Sequence, residues 1–507
     1  MSTAQPGGIA AERTAPAAER AAPARPWSGR TIHFVGVAGA GMSGYARAAA
    51  ALGAQVSGSD RRASPYSERL ATDGVLQARI GEHDAANLPA GENVELVYSS
   101  AVPEDNPERA AARARGLPER SRAQLLAELT GLRRTIAVAG THGKTTTASM
   151  LVYALCGAGT HPDWLIGGAV GPGLANAHWS GEGDWLVVEA DESDRSMLEL
   201  SFEIAVLTNV ELDHHATFGT LAQVREAFRQ LLARAGRAIV VWERPELLEL
   251  APGAAELVAY GTPEPKRVTV DRAGRSGIDG GGDAGAGGVA EVSRSGDEGA
   301  GADGPRIEQR FDWHGHEVRL AVPGEHNALN ARAALEAAML AGAAAEGAIA
   351  GLARFRGAER RFQPLGTSAS GARVYDDYAH HPSEVAATLT AARTLAPKRL
   401  VAVFQPHLYS RTRMFARELG AALIDNADVA VVLDVYPARE RGREHPGVSG
   451  LLVAEAAAEA GAGRAVYWLP TFADAEPAVR ALLRQGDLCV VMGAGDVDEL
   501  ARALVRA

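Results

Sequence analysis

The chain has 507 residues, 46% of them hydrophobic and 22% charged, with a formal net charge of −11. That length exceeds what one hydrophobic core can serve and predicts two to four domains of ordinary globular composition. The acidic balance argues against a protein that coats nucleic acid, and no apolar run of about 18 uncharged residues is present to span a membrane.

Residues 1–28 are rich in Ala, Pro and Arg, carry Glu12 and Glu19 and lack a continuous apolar core. They read as a disordered tail rather than a secretory leader. Cys156 and Cys489 are too few and too far apart for a disulfide framework or a four-ligand zinc site. They fit buried thiols of a reducing cytosol, so a cytoplasmic location is expected.

Block one spans 29–130. Thr31-Ile32-His33-Phe34-Val35 reads as a buried strand running into GVAGAGMSG (36–44) and an Ala-rich helix to about Leu52. Further strands are expected at Gln55-Val56-Ser57 and Val94–Tyr98. Gly39, Gly41 and Gly44 satisfy G-x-G-x-x-G, and Asp60 follows Gly39 by 21 residues. That spacing fits dinucleotide binding, but the diphosphate of any nucleotide suits such a helix N-terminus, and a plain glycine turn reads the same way.

Block two spans 131–355. The apolar run Arg134–Ala139 enters GTHGKTTT (140–147) and a helix, the context of a phosphate-cradling loop. Lys144 would reach the β- and γ-phosphates, and the Thr145 hydroxyl would hold Mg²⁺. Lys144 is one of only three lysines, with Lys266 and Lys398. Five residues before Gly143, where the generic motif has Gly, stands Val138; the first loop glycine is Gly140. Strands expected at Asp184–Val188 and Ile204–Thr208 lead to Glu189 and to His214, which read as Mg²⁺ ligands or as solvated groups; His215 adjoins His214. Asp191, Glu192 and Asp194 fit a solvated acidic turn. Residues 271–305, Gly/Asp/Ser/Ala-rich, read as a flexible surface insertion.

Block three spans 356–507. Strands are expected at Arg373–Tyr375, Leu400–Phe404, Ala427–Leu433 and Asp487–Met492, each followed by polar residues. His380, His381, His407, Arg411 and Arg413 form a cationic set suited to carboxylate or phosphate, or else a basic surface patch. Strands alternating with helices in all three blocks predict parallel α/β sheets with ligands at the strand carboxyl ends.

Taken together these residues resemble the Mur ligases of bacterial cell-wall synthesis, over roughly 30–507 apart from 271–305. HFVGVAGAGMSG, GTHGKTTT, EADESD, TNVELDHH, PGEHNALNA, FRGAERRF, DDYAHHP, QPHLYSRTR and MGAGDV occur in the family's order. The resemblance implies an α/β protein of three domains: a Rossmann-like N-terminal domain for a UDP-sugar, a P-loop ATP-binding central domain and a Rossmann-like C-terminal domain for an amino acid. It also implies ATP- and Mg²⁺-dependent amide synthesis through an acyl phosphate, most like the branch that joins L-alanine to UDP-N-acetylmuramate.

Carried over by position, Gly140, Thr141, His142, Gly143, Lys144, Thr145 and Thr146 would form the ATP loop. Thr145, Glu189 and His214 would hold metal, and Asn327 and Asn330 would recognise adenine. Arg361 and Asp377 would contact ATP. Tyr378, His380, His407 and Arg411 would arrange the alanine and acyl phosphate, with Lys144, His214, His380 and Arg411 closest to the chemistry. His142 would face the UDP-sugar, and Gly39, Gly41, Gly44 and Asp60 its nucleotide.

Two departures accompany the resemblance. Many relatives carry a basic residue at Leu408. No lysine lies between Lys144 and Lys266, so the carbamylated lysine of other Mur ligases has no counterpart, as is usual for the alanine-adding branch. Ser193 also separates the chain from the murein-peptide-recycling branch, which usually has Tyr there. A peptide-adding ligase, an NAD-dependent oxidoreductase with a P-loop module and a non-catalytic nucleotide sensor are the alternatives. Reactants held between three domains require closure around ATP, which excludes water from the acyl phosphate. Oligomeric state is left open.

Overall fold

The computed structural model describes residues 25–171, 174–213, 217–251, 256–261, 293–294 and 307–506. The first sheet is parallel, with β1 (Thr31–Val35), β2 (Gln55–Asp60), β3 (Arg79–Ile80), β4 (Val94–Tyr98) and β5 (Glu119–Ser121) in the order β3-β2-β1-β4-β5. The second contains β6 (Arg134–Ala139), β7 (Asp163–Leu165), β8 (Ala177–His178), β9 (Trp185–Glu189), β10 (Ile204–Leu207), β11 (Ala238–Trp242) and β12 (Glu256–Tyr260). Its order is β12-β11-β10-β6-β9-β7-β8, parallel except at β8.

A small antiparallel sheet joins β13 (Ser293–Arg294), β14 (Ile307–Trp313) and β15 (His316–Leu320). The last sheet holds β16 (Gln363–Thr367), β17 (Arg373–Asp377), β18 (Arg399–Phe404), β19 (Val429–Val432), β20 (Ala465–Trp468) and β21 (Asp487–Met492), ordered β16-β17-β21-β18-β19-β20. Only the edge strand β16 runs antiparallel there.

The central strands are apolar on both faces, as a parallel sheet covered by helices requires. In β6, Ile136 and Val138 face the core under helix Lys144–Gly157, while Ala137 and Ala139 face the opposite one. That second core runs without a break from Phe34 and Tyr45 of the N-terminal domain to Leu186 and Phe228 of the central domain. The two domains therefore share a hydrophobic interior. Gly44 contributes to the joint: a Cβ there would lie 3.2 Å from Ala177 Cβ. The C-terminal sheet has separate cores on its two faces.

Residues 1–24 lie outside the described residues. Trp27, counted with the tail on composition, is 4% exposed and seated in the N-terminal core, with the Arg30 guanidinium 4.2 Å from its ring. One large indole in a polar neighbourhood is enough to anchor the chain, which corrects the expected tail boundary. The expected insertion at 271–305 lies outside the described residues except for β13.

Candidate functional site

Strand β6 delivers Gly140-Thr141-His142-Gly143 to the N-terminus of helix Lys144–Gly157. Gly140 has φ +130°, and a Cβ there would stand 2.1 Å from the Thr208 hydroxyl, so only glycine lets the loop approach β10. Beyond β10, Asn209 holds the loop from both sides. Its Oδ1 accepts from the His142 N–H at 2.9 Å, and its Nδ2 donates to the His142 carbonyl at 3.0 Å. The loop is thus pre-shaped, with the helix's free N–H groups behind it and no acidic residue in the first turn.

Lys144 Nζ donates to the carbonyls of Gly140 (2.6 Å) and Thr141 (3.0 Å) and pairs with Glu192 at 3.0 Å. Burial works against its charge, but Glu192 and Asp191 outweigh it, so the ammonium pKa is raised. The acidic run is only partly solvated: Glu192 is 1% exposed, while Asp191 and the more exposed Asp194 bind Arg122 of the N-terminal domain, each at 2.8 Å. Glu189, at the end of β9, behaves oppositely. Burial raises its pKa despite the Gly167 N–H at 3.0 Å, Lys144 and the Thr145 hydroxyl. A desolvated carboxylate beside a threonine hydroxyl, short of compensating charge, is an oxygen donor set that fits Mg²⁺. His214 and His215 lie outside the described residues.

The C-terminal domain faces this loop. Arg411, 2% exposed, reaches Asp213 of the central domain, and its Nη1 lies 2.8 Å from His407 Nδ1. His380 Nδ1 lies 2.9 Å from the Tyr378 carbonyl, and the His380 and His407 rings are 5.6 Å apart. These histidines are not the cationic set expected from sequence. Burial pushes His380 down to about 4, and burial beside His380 and Arg411 pushes His407 down to about 2. Arginine carries the charge, and the imidazoles stay neutral at pH 7. His142 is the exception. Burial opposes its charge, but Glu384 (3.2 Å) and Glu211 (3.6 Å) lift it to about 9.

Two cavities meet at the loop. A smaller one lies between the central and C-terminal domains, with Asn327, Asn330, Arg361, Asp377 and Thr146 in its wall. Asp377 accepts from the Phe362 and Ala379 N–H groups, and burial raises it to about 6. His326, Glu211 and Glu384 also line it. Sequence reasoning passed over these three, although His326 stands beside Asn327 and Glu211 within TNVELDHH.

The larger cleft touches all three domains. Gly41, Gly44, Lys144, Glu189, Tyr378, His380, His407 and Arg411 reach it, and His142 borders both cavities. Gly39 caps the helix Ala40–Ala51. Asp60 borders neither cavity; its carboxylate accepts from the Ala38 N–H at 2.9 Å and so braces the glycine loop. Leu408 lines the cleft with φ +69°, a strained conformation for a side chain at a helix start.

A three-domain α/β enzyme architecture with a phosphate loop at its junction is what these sheets and this cleft define. Models of the Mur ligase family match in three segments: the catalytic domain over residues 31–134, the middle domain over 138–338 and the glutamate ligase domain over 360–495. A UDP-N-acetylmuramate–L-alanine ligase of Mycobacterium avium (strain 104) is 44% identical, with 94% of this chain and 95% of that one covered. The enzyme of the same name from Mycobacterium tuberculosis (strain ATCC 25177 / H37Ra) is 42% identical, with 94% of each chain covered. Among solved structures, UDP-N-acetylmuramate-alanine ligase MurC from Thermotoga maritima superposes with TM-score 0.71 at 24% identity, covering 94% of this chain and 98% of that one. A murein peptide ligase from Psychrobacter arcticus 273-4 gives 0.62, also at 24% identity, covering 94% and 100%. The chain belongs to the Mur ligase family. Among the described residues no helix is long and apolar enough to cross a membrane.

Proposed function

We propose that this protein is a cytoplasmic ligase that uses ATP and Mg²⁺ to join L-alanine to the lactyl carboxylate of UDP-N-acetylmuramate, giving ADP and phosphate in peptidoglycan precursor synthesis. The observation that carries this reading is the cleft in which Lys144, Glu189 and Arg411, from two domains, face one space opened towards the glycine loop of the third. Relatives bearing the alanine-ligase name over nearly the whole chain support the choice of substrates.

In this mechanism the smaller cavity takes the nucleoside, with Asn327 and Asn330 at the base and Arg361 and Asp377 closing from the C-terminal side. The loop N–H groups and Lys144 hold the phosphates, Lys144 exchanging its loop carbonyls and Glu192 for phosphate oxygens. Thr145 and Glu189, with His214, would hold Mg²⁺, which supplies charge neutralisation for the transferring phosphoryl group. The lactyl carboxylate attacks the γ-phosphorus, the bond to the β,γ-bridging oxygen breaks, ADP leaves and the carboxylate becomes an acyl phosphate. Arg411, fixed by Asp213, offers positive charge where the negative groups converge. The amine of L-alanine then attacks the acyl carbon, and phosphate leaves from the tetrahedral intermediate. His380 directs Nδ1 at the Tyr378 carbonyl, leaving a neutral Nε2 free to accept a hydrogen bond from the alanine amine and orient it. Gly41 and Gly44 stand where the UDP diphosphate would approach the first helix.

Phosphate release with Mg²⁺-ATP and UDP-N-acetylmuramate, with and without L-alanine, tests this. Strong dependence on L-alanine is the expected result. Release only with a peptide in place of alanine would move the protein to another branch of the family. No release with either would overturn the ligase reading.

A further inference from the structure

Beside the nucleotide cavity three groups converge that the ligase mechanism does not use together. Among the described residues, His142, Glu211 and His381 each offer a ligand atom within 4.8 Å of the others. His142 comes from the phosphate loop, Glu211 from the segment after β10, and His381 from the start of helix Pro382–Thr394 in the C-terminal domain. We propose that these three residues form a transition-metal site, for Zn²⁺ or a similar divalent cation, that ties the central and C-terminal domains together.

The distances are close to those a metal needs. Glu211 Oε2 lies 3.6 Å from His142 Nε2 and 3.5 Å from His381 Nδ1. Ligand atoms of a tetrahedral zinc site with bonds of about 2.1 Å stand about 3.4 Å apart. The two imidazoles are tilted 38° to one another with centroids 4.7 Å apart, and each has a nitrogen near the same carboxylate. His142 Nε2 is buried with no hydrogen-bond partner. His381 Nδ1 accepts the capping Ser383 N–H at a long 3.4 Å, a bond that a metal would replace, and its Nε2 is buried with no hydrogen-bond partner.

The surroundings are those of a metal site as well. Metal-binding histidines usually give their second nitrogen to a carboxylate, and ligating carboxylates are themselves hydrogen-bonded. His142 Nδ1 lies 3.2 Å from Glu384 Oε1, and the Ser383 hydroxyl donates to Glu211 Oε2 at 2.6 Å. Two carboxylates beside one imidazole favour a cation: without metal it is the proton His142 carries, and a metal would take that proton's place on Nε2, with Arg361, 3.7 Å from Glu384, balancing part of the remaining charge. Two imidazoles and one carboxylate suit Zn²⁺ or Co²⁺, whereas Mg²⁺ prefers an all-oxygen octahedron. This site therefore differs in chemistry from Thr145 and Glu189. A metal here would hold two domains at a fixed separation and slow the opening that releases products.

The full-length protein would be titrated with Zn²⁺ by calorimetry in excess Mg²⁺, and with Co²⁺ by visible absorption. One equivalent bound, with a Co²⁺ band typical of nitrogen ligation, is expected. His381→Asn keeps a helix-capping side chain while removing the imidazole, and Glu211→Gln changes a half-exposed group; each should abolish the band. Glu384→Gln should weaken binding by about 10–100-fold. Lys144→Ala, inactive under the ligase reading, should bind as wild type, so the two proposals fail separately. Absence of binding, or wild-type binding by Glu211→Gln, would overturn the site. Should His381→Asn fail to fold, Glu211→Gln decides alone.

Discussion

Arg411 and Asp213 form an ion pair across the boundary between the C-terminal and central domains, Nη2 to Oδ1 2.5 Å, each side chain 3% exposed. The same boundary is crossed by Ser383–Glu211, His142–Glu384 and the His142–His381 ring contact. The Tyr66 hydroxyl of the N-terminal domain reaches Glu359 at 3.2 Å in similar fashion. These are polar joints. The N-terminal and central domains instead share a continuous apolar core. Apolar surface is costly to expose, whereas polar groups exchange partners for water at little net cost. The C-terminal domain is therefore the part expected to swing, and opening would carry His380, His407 and Arg411 away from the phosphate loop that they face here.

Asp213→Asn tests the joint. Removing one member of a buried ion pair leaves an uncompensated charge that costs about 3–5 kcal/mol if it stays buried. Opening of the C-terminal domain relieves that cost by hydrating Arg411. The variant should scatter X-rays with a larger radius of gyration than wild type, keep its far-UV circular dichroism and lose at least about tenfold in turnover, the scale of a displaced charged group. Unchanged scattering and turnover would show that the pair does not govern closure. Wild type should contract on binding ATP and UDP-N-acetylmuramate, and identical profiles with and without ligands would count against the hinge.

Lys144→Ala should abolish L-alanine-dependent phosphate release while leaving secondary structure intact. The side chain holds no core position; its ammonium rests on loop carbonyls and Glu192. The variant leaves Glu192 buried without that cation, so a modest fall in melting temperature is expected alongside the loss of turnover. Near-normal turnover would remove the loop from the mechanism.

Much of this was legible in the sequence. Strands β1, β4, β6, β10, β18 and β21 stand where apolar runs end in polar clusters, because strands buried on both faces leave an unbroken hydrophobic trace. The phosphate loop was legible for the same reason. Short strands such as β7 and β8 were not, since two or three residues carry no period. The neutrality of His380 and His407 was equally hidden, because it depends on burial and on Arg411, in the first turn of helix Tyr409–Asn426, standing beside both. Asp60 matched a nucleotide-binding spacing yet braces Ala38, since a carboxylate after a strand can serve the backbone as readily as a ribose. Glu211 and Glu384 acquire significance only when two domains meet at His142.

Gly140→Ala separates loop shape from loop charge. The added methyl would meet Thr208 Oγ1 at 2.1 Å and the Asn209 backbone at 3.0–3.1 Å, at a φ of +130° that alanine rarely adopts. Thr208 is buried and cannot retreat, so the loop must move off β10. A misplacement of about 1 Å in such a site costs on the order of 100-fold. Turnover should fall by that scale and ATP affinity by calorimetry should fall with it, the fold being retained. Wild-type affinity would mean that the loop tolerates displacement and that its shape is not the binding determinant.

The N-terminal domain carries a separate acid sensitivity. Glu108 is fully buried in the first turn of helix Pro107–Ala114, where the helix dipole favours a carboxylate. Burial alone would raise its pKa, but His33 (2.7 Å), Asn87 (3.0 Å), Ser59 (2.7 Å) and His83 (2.8 Å) outweigh burial and hold it at about 2, below its ordinary 4.5. A depressed carboxyl pKa stabilises the fold wherever both states are ionised, above about pH 4.5. As pH falls from there towards 2, the unfolded chain takes up the proton first and the stabilisation drains away, a loss on the order of 3 kcal/mol. Glu108→Gln removes the titrating group. Its urea midpoint should lie well below wild type near neutral pH, and the gap should narrow steadily towards about pH 3 as wild type loses its advantage. A gap that stays constant over that range would mean that Glu108 is not held ionised by its four partners, and that the variant is weakened by lost packing alone.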